Sequence, residues 1–288
     1  MASNFNLDKI INDDCITGMR DIPDNSIDCV LTDPPYLYLK NQKLDRPFDE
    51  VAFFNEVNRV LKKGGFIVMF GRGTSFYRWN TMLANLGFNF KEEIVWDKIR
   101  TTSPLLPLSR KHECISVYCK GKCPVNRSKV PYTEIYDGTS RQDIQNAMRI
   151  VSCVRNRNVD KLKQICDGEI KFDLPRAHKY HVSAQSGFGA ADPGESTLKS
   201  IAQGCNERDI ISIQRQNHGE IHPTQKPVRL LERLLALVTK EGDTVLDPFS
   251  GSGSTAIACM NTGRHYLGYE IDKEYFEKSI KRINEYGK

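Results

Sequence analysis

Apolar and polar positions follow two different periods along the first third of the chain. SIDCVLTD (26–33) and FIVMF (66–70) are short, nearly continuous apolar runs, which predict strands buried on both faces. Between them, FDEVAFFNEVNRVLKKGG (48–65) sets Val51, Phe54, Val57, Val60 and Leu61 on one side of a helix. Lys62 and Lys63 suit that helix's C-terminus, and Gly64 and Gly65 are expected to end it. SFYRWNTMLANLG (75–87) predicts a second amphipathic helix, stopped by Gly87. EEIVW (92–96) and ECISVYC (113–119) predict two more strands, with Pro104 and Pro107 in the loop between them.

The rhythm fails from about Gly121 to Gly219, where SAQSGFGAADPGES (183–196) reads as a mobile loop in an irregular module. It returns in HPTQKPVRLLERLLALVTKEGD (222–243), where Val228, Leu231, Leu234, Leu235 and Val238 share one helix face. TVLDPF then predicts a strand, SGSGSTAIACMNTG a Gly-rich turn into a helix, HYLGYEID a strand and EYFEKSIKRI a closing helix. Strands alternating with helices imply an α/β fold, a doubly wound and mostly parallel sheet built from 1–120 and 220–288, with 121–219 as an insert.

Charge and cysteine narrow the class. The longest apolar runs, Phe66–Phe70 and Leu234–Val238, are too short to cross a membrane, and MASNFNLDK lacks a signal-peptide core. The nine cysteines are odd in number and scattered, with Cys29, Cys114 and Cys259 inside apolar patterns, so reduced thiols and a cytoplasmic location are expected. The net charge of +5 conceals an asymmetry: Lys98 to Tyr180 holds 17 Lys and Arg against 8 Asp and Glu, which is +9, leaving −4 elsewhere. A local basic excess points to a polyanion, with Arg100, Arg110, Lys111, Arg155 and Arg157 as candidate contacts; each reads equally as a solvated surface charge.

Two corners carry chemistry. VLDPFSGSGSTA (245–256) is a strand, a tight turn and a helix start, in which Gly251 and Gly253 admit a ligand close to the backbone. Glu270, at the end of the next strand, suits two ribose hydroxyls, so the set fits a nicotinamide dinucleotide and S-adenosylmethionine alike. Asp247 tips the choice, because a carboxylate at the turn repels a pyrophosphate and favours an ammonium and a sulfonium; its plainer reading is a helix cap. At the other corner, VLTDPPYLYL (30–39), Pro34 and Pro35 stiffen the backbone and hold the Asp33 carboxylate and the Pro34 carbonyl as two acceptors. Two such acceptors suit an exocyclic amino group, and Tyr36 offers a face on which a heterocycle stacks.

In these residues the chain resembles the DNA amino-methyltransferases that act on adenine N6 or cytosine N4. Asp33-Pro34-Pro35-Tyr36 matches their catalytic motif, Asp247-Pro248-Phe249-Ser250-Gly251-Ser252-Gly253 their cofactor motif, and HPTQKP (222–227) the segment before the cofactor strand in the permuted β group. There the catalytic half comes first, then the target-recognition region, then the cofactor half; 121–219 matches nothing recognisable.

The resemblance implies a Rossmann-like methyltransferase sheet and site-specific transfer from S-adenosylmethionine to adenine N6 in a flipped base of double-stranded DNA. It implies Asp33, Pro34, Pro35 and Tyr36 as the catalytic set. For the donor it implies Asp33, Asp247, Pro248, Phe249, Gly251, Gly253, Ser254 and Thr255, with Glu270 on the ribose and Asp272 near the adenine. Asp14 matches an acid on the donor's adenine amino group, with Asp13 leaving the register open by one. His222, Thr224 and Lys226 match the segment lining the methionine end, although His222 reads equally as a packing residue. A homodimer and a cognate restriction endonuclease are further partners such a family admits.

Several readings compete. In the family, Asp at the first motif position leans to adenine and Ser to cytosine N4, so Asp33 favours adenine. RNA and protein amide targets more often go with Asn-Pro-Pro-Tyr. A non-catalytic nucleic-acid-binding subunit would be expected to lack one motif. Cys114, Cys119 and Cys123 lack paired zinc spacing, and no acid or thiol completes a site with His178 and His181, so no metal is expected.

Overall fold

Alternating apolar residues bury both faces of one sheet, and helices cover each face. The computed structural model describes residues 6–37, 45–101, 107–135, 203–215, 221 and 224–286. Its strands are β1 (Lys9–Ile11), β2 (Ile27–Thr32), β3 (Leu61–Gly71), β4 (Asn89–Asp97), β5 (His112–Cys119), β6 (Lys129–Val130), β7 (Cys205–Asn206), β8 (Ile210–Ser212), β9 (Thr244–Asp247) and β10 (His265–Tyr269). The helices are α1 (Cys15–Met19), α2 (Glu50–Val60), α3 (Gly73–Asn85), α4 (Tyr132–Ile135), α5 (Val228–Val238), α6 (Ser254–Asn261) and α7 (Lys273–Tyr286).

Eight strands form the main sheet in the order β1-β10-β9-β2-β3-β5-β4-β8, and β5 alone runs against its neighbours. The chain divides into two units, Met1–Arg127 with Arg208–Lys288, and Ser128–Glu207. The first holds this sheet; the second contains the antiparallel pair β6–β7. The returning chain rejoins the sheet already at β8, which pairs with β4 through Ile211 and Trp96, ahead of the boundary expected at residue 220.

Period-two alternation decides which residue goes where. Cys29, Leu31, Val68, Phe70 and Val245 pack with Leu231, Leu234 and Leu235 of α5 and Ile257 of α6 on one face. Val30, Ile67, Met69 and Leu246 pack with Met19 of α1, Phe53, Phe54 and Val57 of α2 and Trp79 of α3 on the other. Each such side chain contributes about 1.5–3 kcal/mol on burial, which is why these strands tolerate almost no polar residue on either face.

One expected element is corrected. α2 stops at Val60, and Leu61 is already extended (φ −68°, ψ 131°), so Lys62, Lys63, Gly64 and Gly65 belong to β3 rather than to a helix end. A register shift between Ile27↔Leu61 and Cys29↔Phe66 absorbs the extra residues, with Gly64 at φ 95°. Lys62 instead reaches the Asp28 carboxylate at 2.8 Å. Val51, expected on the buried stripe, is 62% exposed; Phe53 takes that place. Among the described residues no helix is long and apolar enough to cross a membrane.

Candidate active site

The adjacent strands β2 and β9, paired through Cys29↔Val245 and Val30↔Leu246, both end in an Asp-Pro step. These carboxyl ends open onto a cavity of about 600 Å³, within the range of small-molecule sites. Asp33, Pro34, Pro35 and Tyr36 line it together with Asp14, Thr224, Lys226, Asp247, Pro248, Phe249, Gly251, Ser254, Thr255, Glu270 and Asp272. The two corners singled out from the sequence therefore share one crevice.

On the Asp33 corner, both carboxylate oxygens have donors. Tyr36 Oη donates to Oδ1, and Lys226 Nζ lies 2.5 Å from Oδ2. Tyr36 is fixed from behind: its carbonyl accepts from Ser75 Oγ at 2.7 Å and its ring sits 6.3 Å from that of Trp79. Burial pushes the Asp33 carboxyl above its ordinary range, and Lys226 opposes only part of that rise. Lys226, matched to the segment lining the methionine end, thus sits with its ammonium on Asp33 and within 3.2 Å of Glu113 Oε2.

On the glycine corner, Asp247 is buried and serves the turn rather than the helix backbone. Its Oδ2 accepts from Thr255 Oγ1 at 2.6 Å and its Oδ1 from the Phe249 amide at 3.2 Å. Burial outweighs these bonds and raises its carboxyl to about 7. Glu270 accepts from the Gly251 amide at 2.9 Å and the Asp272 amide at 2.8 Å; its carboxyl also lies above the ordinary range, burial again being the main cause. Asp272 Oδ1 caps the start of α7 through the Glu274 amide at 3.0 Å, and Asp14 Oδ1 caps α1 through the Ile16 and Thr17 amides.

The expected glycines divide. Gly251 (φ 50°) lines the cavity. Gly253 does not: it is the left-handed residue before α6 (φ 73°), and a Cβ there would meet Ile283 Cδ1 at 3.0 Å, so its role is backbone conformation and close packing.

Of the basic candidates, Arg110 lines the cavity, Lys111 is exposed and lies 3.2 Å from Asp97 Oδ2, and Arg100 is exposed. His222, Arg155 and Arg157 lie outside the described residues, as do His178, His181 and the 183–196 stretch.

Sequence reasoning passed over Phe48, Phe70, Trp96, Lys98 and Glu113, all of which line the cavity. Phe48 packs on Phe249 at 5.2 Å between ring centroids. In the sequence Lys98 and Glu113 are only charges flanking apolar strands; they meet at the cavity because β5 runs against its neighbours.

Comparison with known proteins agrees with this geometry. The profile of the family described as DNA methylase, the N6/N4 type, matches residues 27–282. The chain is 28% identical to the Type II methyltransferase M.BglII of Bacillus subtilis, over 94% of this chain and 67% of that protein. It is 26% identical to the Type II methyltransferase M.HinfI of Haemophilus influenzae, over 99% and 71%. Among solved structures, it is similar in fold to the M1.HpyAVI–SAM complex (TM-score 0.56, 20% identity, 95% and 98% covered). It is likewise similar to the cytosine-N4-specific PvuII DNA methyltransferase (TM-score 0.60, 16% identity, 96% and 86% covered). With both motifs lining one cavity and the profile spanning most of the sequence, the chain belongs to the N6/N4 DNA methylase family.

Proposed function

We propose that this protein transfers the methyl group of S-adenosylmethionine to the N6 amino group of adenine in double-stranded DNA, at a specific sequence. The observation that carries the reading is the meeting of Asp33 and the Gly251 turn in one cavity. Choice of donor rests on three acids, Asp247, Glu270 and Asp272, around that turn: they suit a ligand with cationic centres and ribose hydroxyls and oppose a pyrophosphate. M1.HpyAVI, similar in fold, was solved as a SAM complex, in keeping with that choice. When bound, S-adenosylmethionine supplies an electrophilic methyl on sulfur.

The chain's own residues do the rest. Asp33 and the Pro34 carbonyl accept the two N–H groups of the base's amine, which draws the nitrogen lone pair out of conjugation and aims it across the cavity. Fixing that orientation is worth up to about 7–11 kcal/mol in well-placed intramolecular reactions. The same acceptors stabilise the positive charge that develops on the nitrogen as its bond to the methyl carbon forms and the carbon–sulfur bond breaks, and the nitrogen then releases one proton to solvent. Tyr36, braced by Ser75 and Trp79, presents the ring on which the base stacks. A base inside a duplex cannot reach this corner, so the target is flipped out, at a few kcal/mol. We assign duplex recognition to the basic 98–180 stretch, including Arg110 at the cavity, and sequence selection to the Ser128–Glu207 unit.

Adenine is preferred to cytosine because Asp, rather than Ser, opens the catalytic motif at residue 33. The similarity to Type II methyltransferases makes a companion endonuclease the expected cellular partner. The test is transfer of labelled methyl groups to plasmid DNA, followed by single-molecule mapping of the product. N6-methyladenine at a defined site is expected; N4-methylcytosine would overturn the base assignment, and no transfer the whole reading.

A further inference from the structure

This inference deepens the reading of Asp33 as the acceptor for the substrate amine and rests on it. A row of alternating charge runs from Asp33 along the wall of the cavity. Lys226 Nζ lies 2.5 Å from Asp33 Oδ2 and 3.2 Å from Glu113 Oε2, and Lys98 Nζ lies 2.5 Å from Glu113 Oε1. Beside Asp33, at 21% exposure, the side chains of Lys226, Glu113 and Lys98 are 9%, 12% and 8% exposed. Lys226 lies 4.9 Å from the centre of the Phe70 ring and Lys98 5.3 Å from that of Trp96, so aromatic walls stand where water would otherwise screen them.

Four largely buried charges are a poor way to hold a cavity wall together, since apolar residues of the same size do so as well or better. What the row achieves is division of one cation between two acids. The Glu113 contact is longer, 3.2 Å against 2.5 Å for the Asp33 contact, so Lys226 leans to Asp33. Glu113 draws charge from Lys226, and Lys98 limits how much it draws. Among the described residues, other ionisable groups facing this part of the cavity are Tyr36, bonded to Asp33, Asp247 on the adjacent strand end, Arg72, whose guanidinium donates to the His112 carbonyl beside Glu113, and Arg110 and Arg215 on the cavity wall.

We propose that Glu113 and Lys98 are positioning residues that act through Lys226 to set how strongly Asp33 accepts the amine of the target base. The electrostatics agree in sign: burial alone would raise Glu113, yet Lys226 and Lys98 bring it down to about 2, so it is anionic throughout the working range. Glu113 in turn pushes the Asp33 carboxyl up.

The test is the pH dependence of kcat at saturating donor and DNA for Glu113→Gln and Lys98→Met. Removing the Glu113 charge leaves Lys226 wholly to Asp33, so the acid limb moves to lower pH and the plateau falls. Removing the Lys98 charge leaves Glu113 less compensated, so the limb moves to higher pH; each shift is about 0.5–1 pH unit. Lys98→Arg retains the charge and restores the parent limb. Opposite shifts support the proposal, and loss of rate with an unmoved limb, or shifts of one sign, overturns it. Should Glu113→Gln not fold, Lys98→Met against Lys98→Arg decides alone, a limb common to both overturning the proposal. Asp33→Ala separates the two levels: if it still methylates DNA, the underlying reading fails, whereas if it is inactive and the limbs stay fixed, only this inference fails.

Discussion

Gly251 donates its amide hydrogen to Glu270 Oε2 at 2.9 Å, joining the glycine turn after β9 to the acid at the end of β10. With Oε1 held by the Asp272 amide at 2.8 Å, the carboxylate is pinned by two backbone donors on the wall of the cavity and keeps further lone pairs to accept with. Glu270→Gln sets an amide N–H₂ against one of those donors. Isothermal titration should show S-adenosylmethionine binding about 10–100-fold weaker, the loss expected for a hydrogen bond to a charged group, with kcat at saturating donor much less affected.

Asp33→Ala should separate binding from chemistry. Its carboxylate accepts from Tyr36 and Lys226 and, as proposed, from the target amine. Single-turnover methyl transfer should fall about 10²–10³-fold, the scale for loss of one preorganised polar group, while donor affinity changes far less. Transfer at the parent rate would remove Asp33 from the mechanism.

Asp247 gives a pH dependence with a definite sign. The folded protein keeps this proton up to about 7, whereas an unfolded chain releases it near the ordinary 3.8. Between those values the folded state holds more protons, so stability falls as pH rises through the window and levels off above about 7. Thermal melts at pH 5 and pH 8 should show Asp247→Asn gaining on the parent at the higher pH. Donor affinity should run the other way in the parent, tightening as the carboxylate forms, and stay flat in the variant.

Gly253→Ala tests the turn without touching a cavity-lining residue. At φ 73°, with Ile283 Cδ1 3.0 Å from a built Cβ, alanine is strained twice over. Denaturant unfolding should show a loss of about 1–3 kcal/mol, the usual scale for a strained backbone position.

Arg110 and Lys111 are neighbours in sequence with different surroundings: the first lines the cavity, the second is exposed beside Asp97. Arg110→Ala should weaken DNA binding and reduce the salt slope by about one, as expected for one lost phosphate contact. Lys111→Ala should do less in the same fluorescence-anisotropy titration.

The sheet was legible because both its faces are buried, so β2, β3 and β9 read as short apolar runs, and the equally apolar Leu234–Val238 is set apart by the helical period of the residues before it. The end of α2 was not, because Lys62-Lys63-Gly64-Gly65 satisfies the rules for a helix terminus as well as those for a bulged strand entry; pairing with β2, a tertiary effect, settles it. The site was legible where the motif is local, at Asp33-Pro34-Pro35-Tyr36 and at Asp247 to Gly251. It was illegible where partners come from distant strands. Glu113 joins Lys226 only because β5 runs backwards, and strand direction leaves no mark on the residues of the strand itself.

The pairing of β2 with β9 has a bearing on how the protein comes into being. On the ribosome, β2 and β3 emerge long before Thr244–Asp247, the segment that completes the middle of the sheet. Until then one edge of β2 lacks its strand, a situation that invites chaperone attention or mispairing with another nascent chain. The cavity is therefore incomplete until β9 joins, and a chain released before that carries the Asp33 corner with no glycine turn beside it.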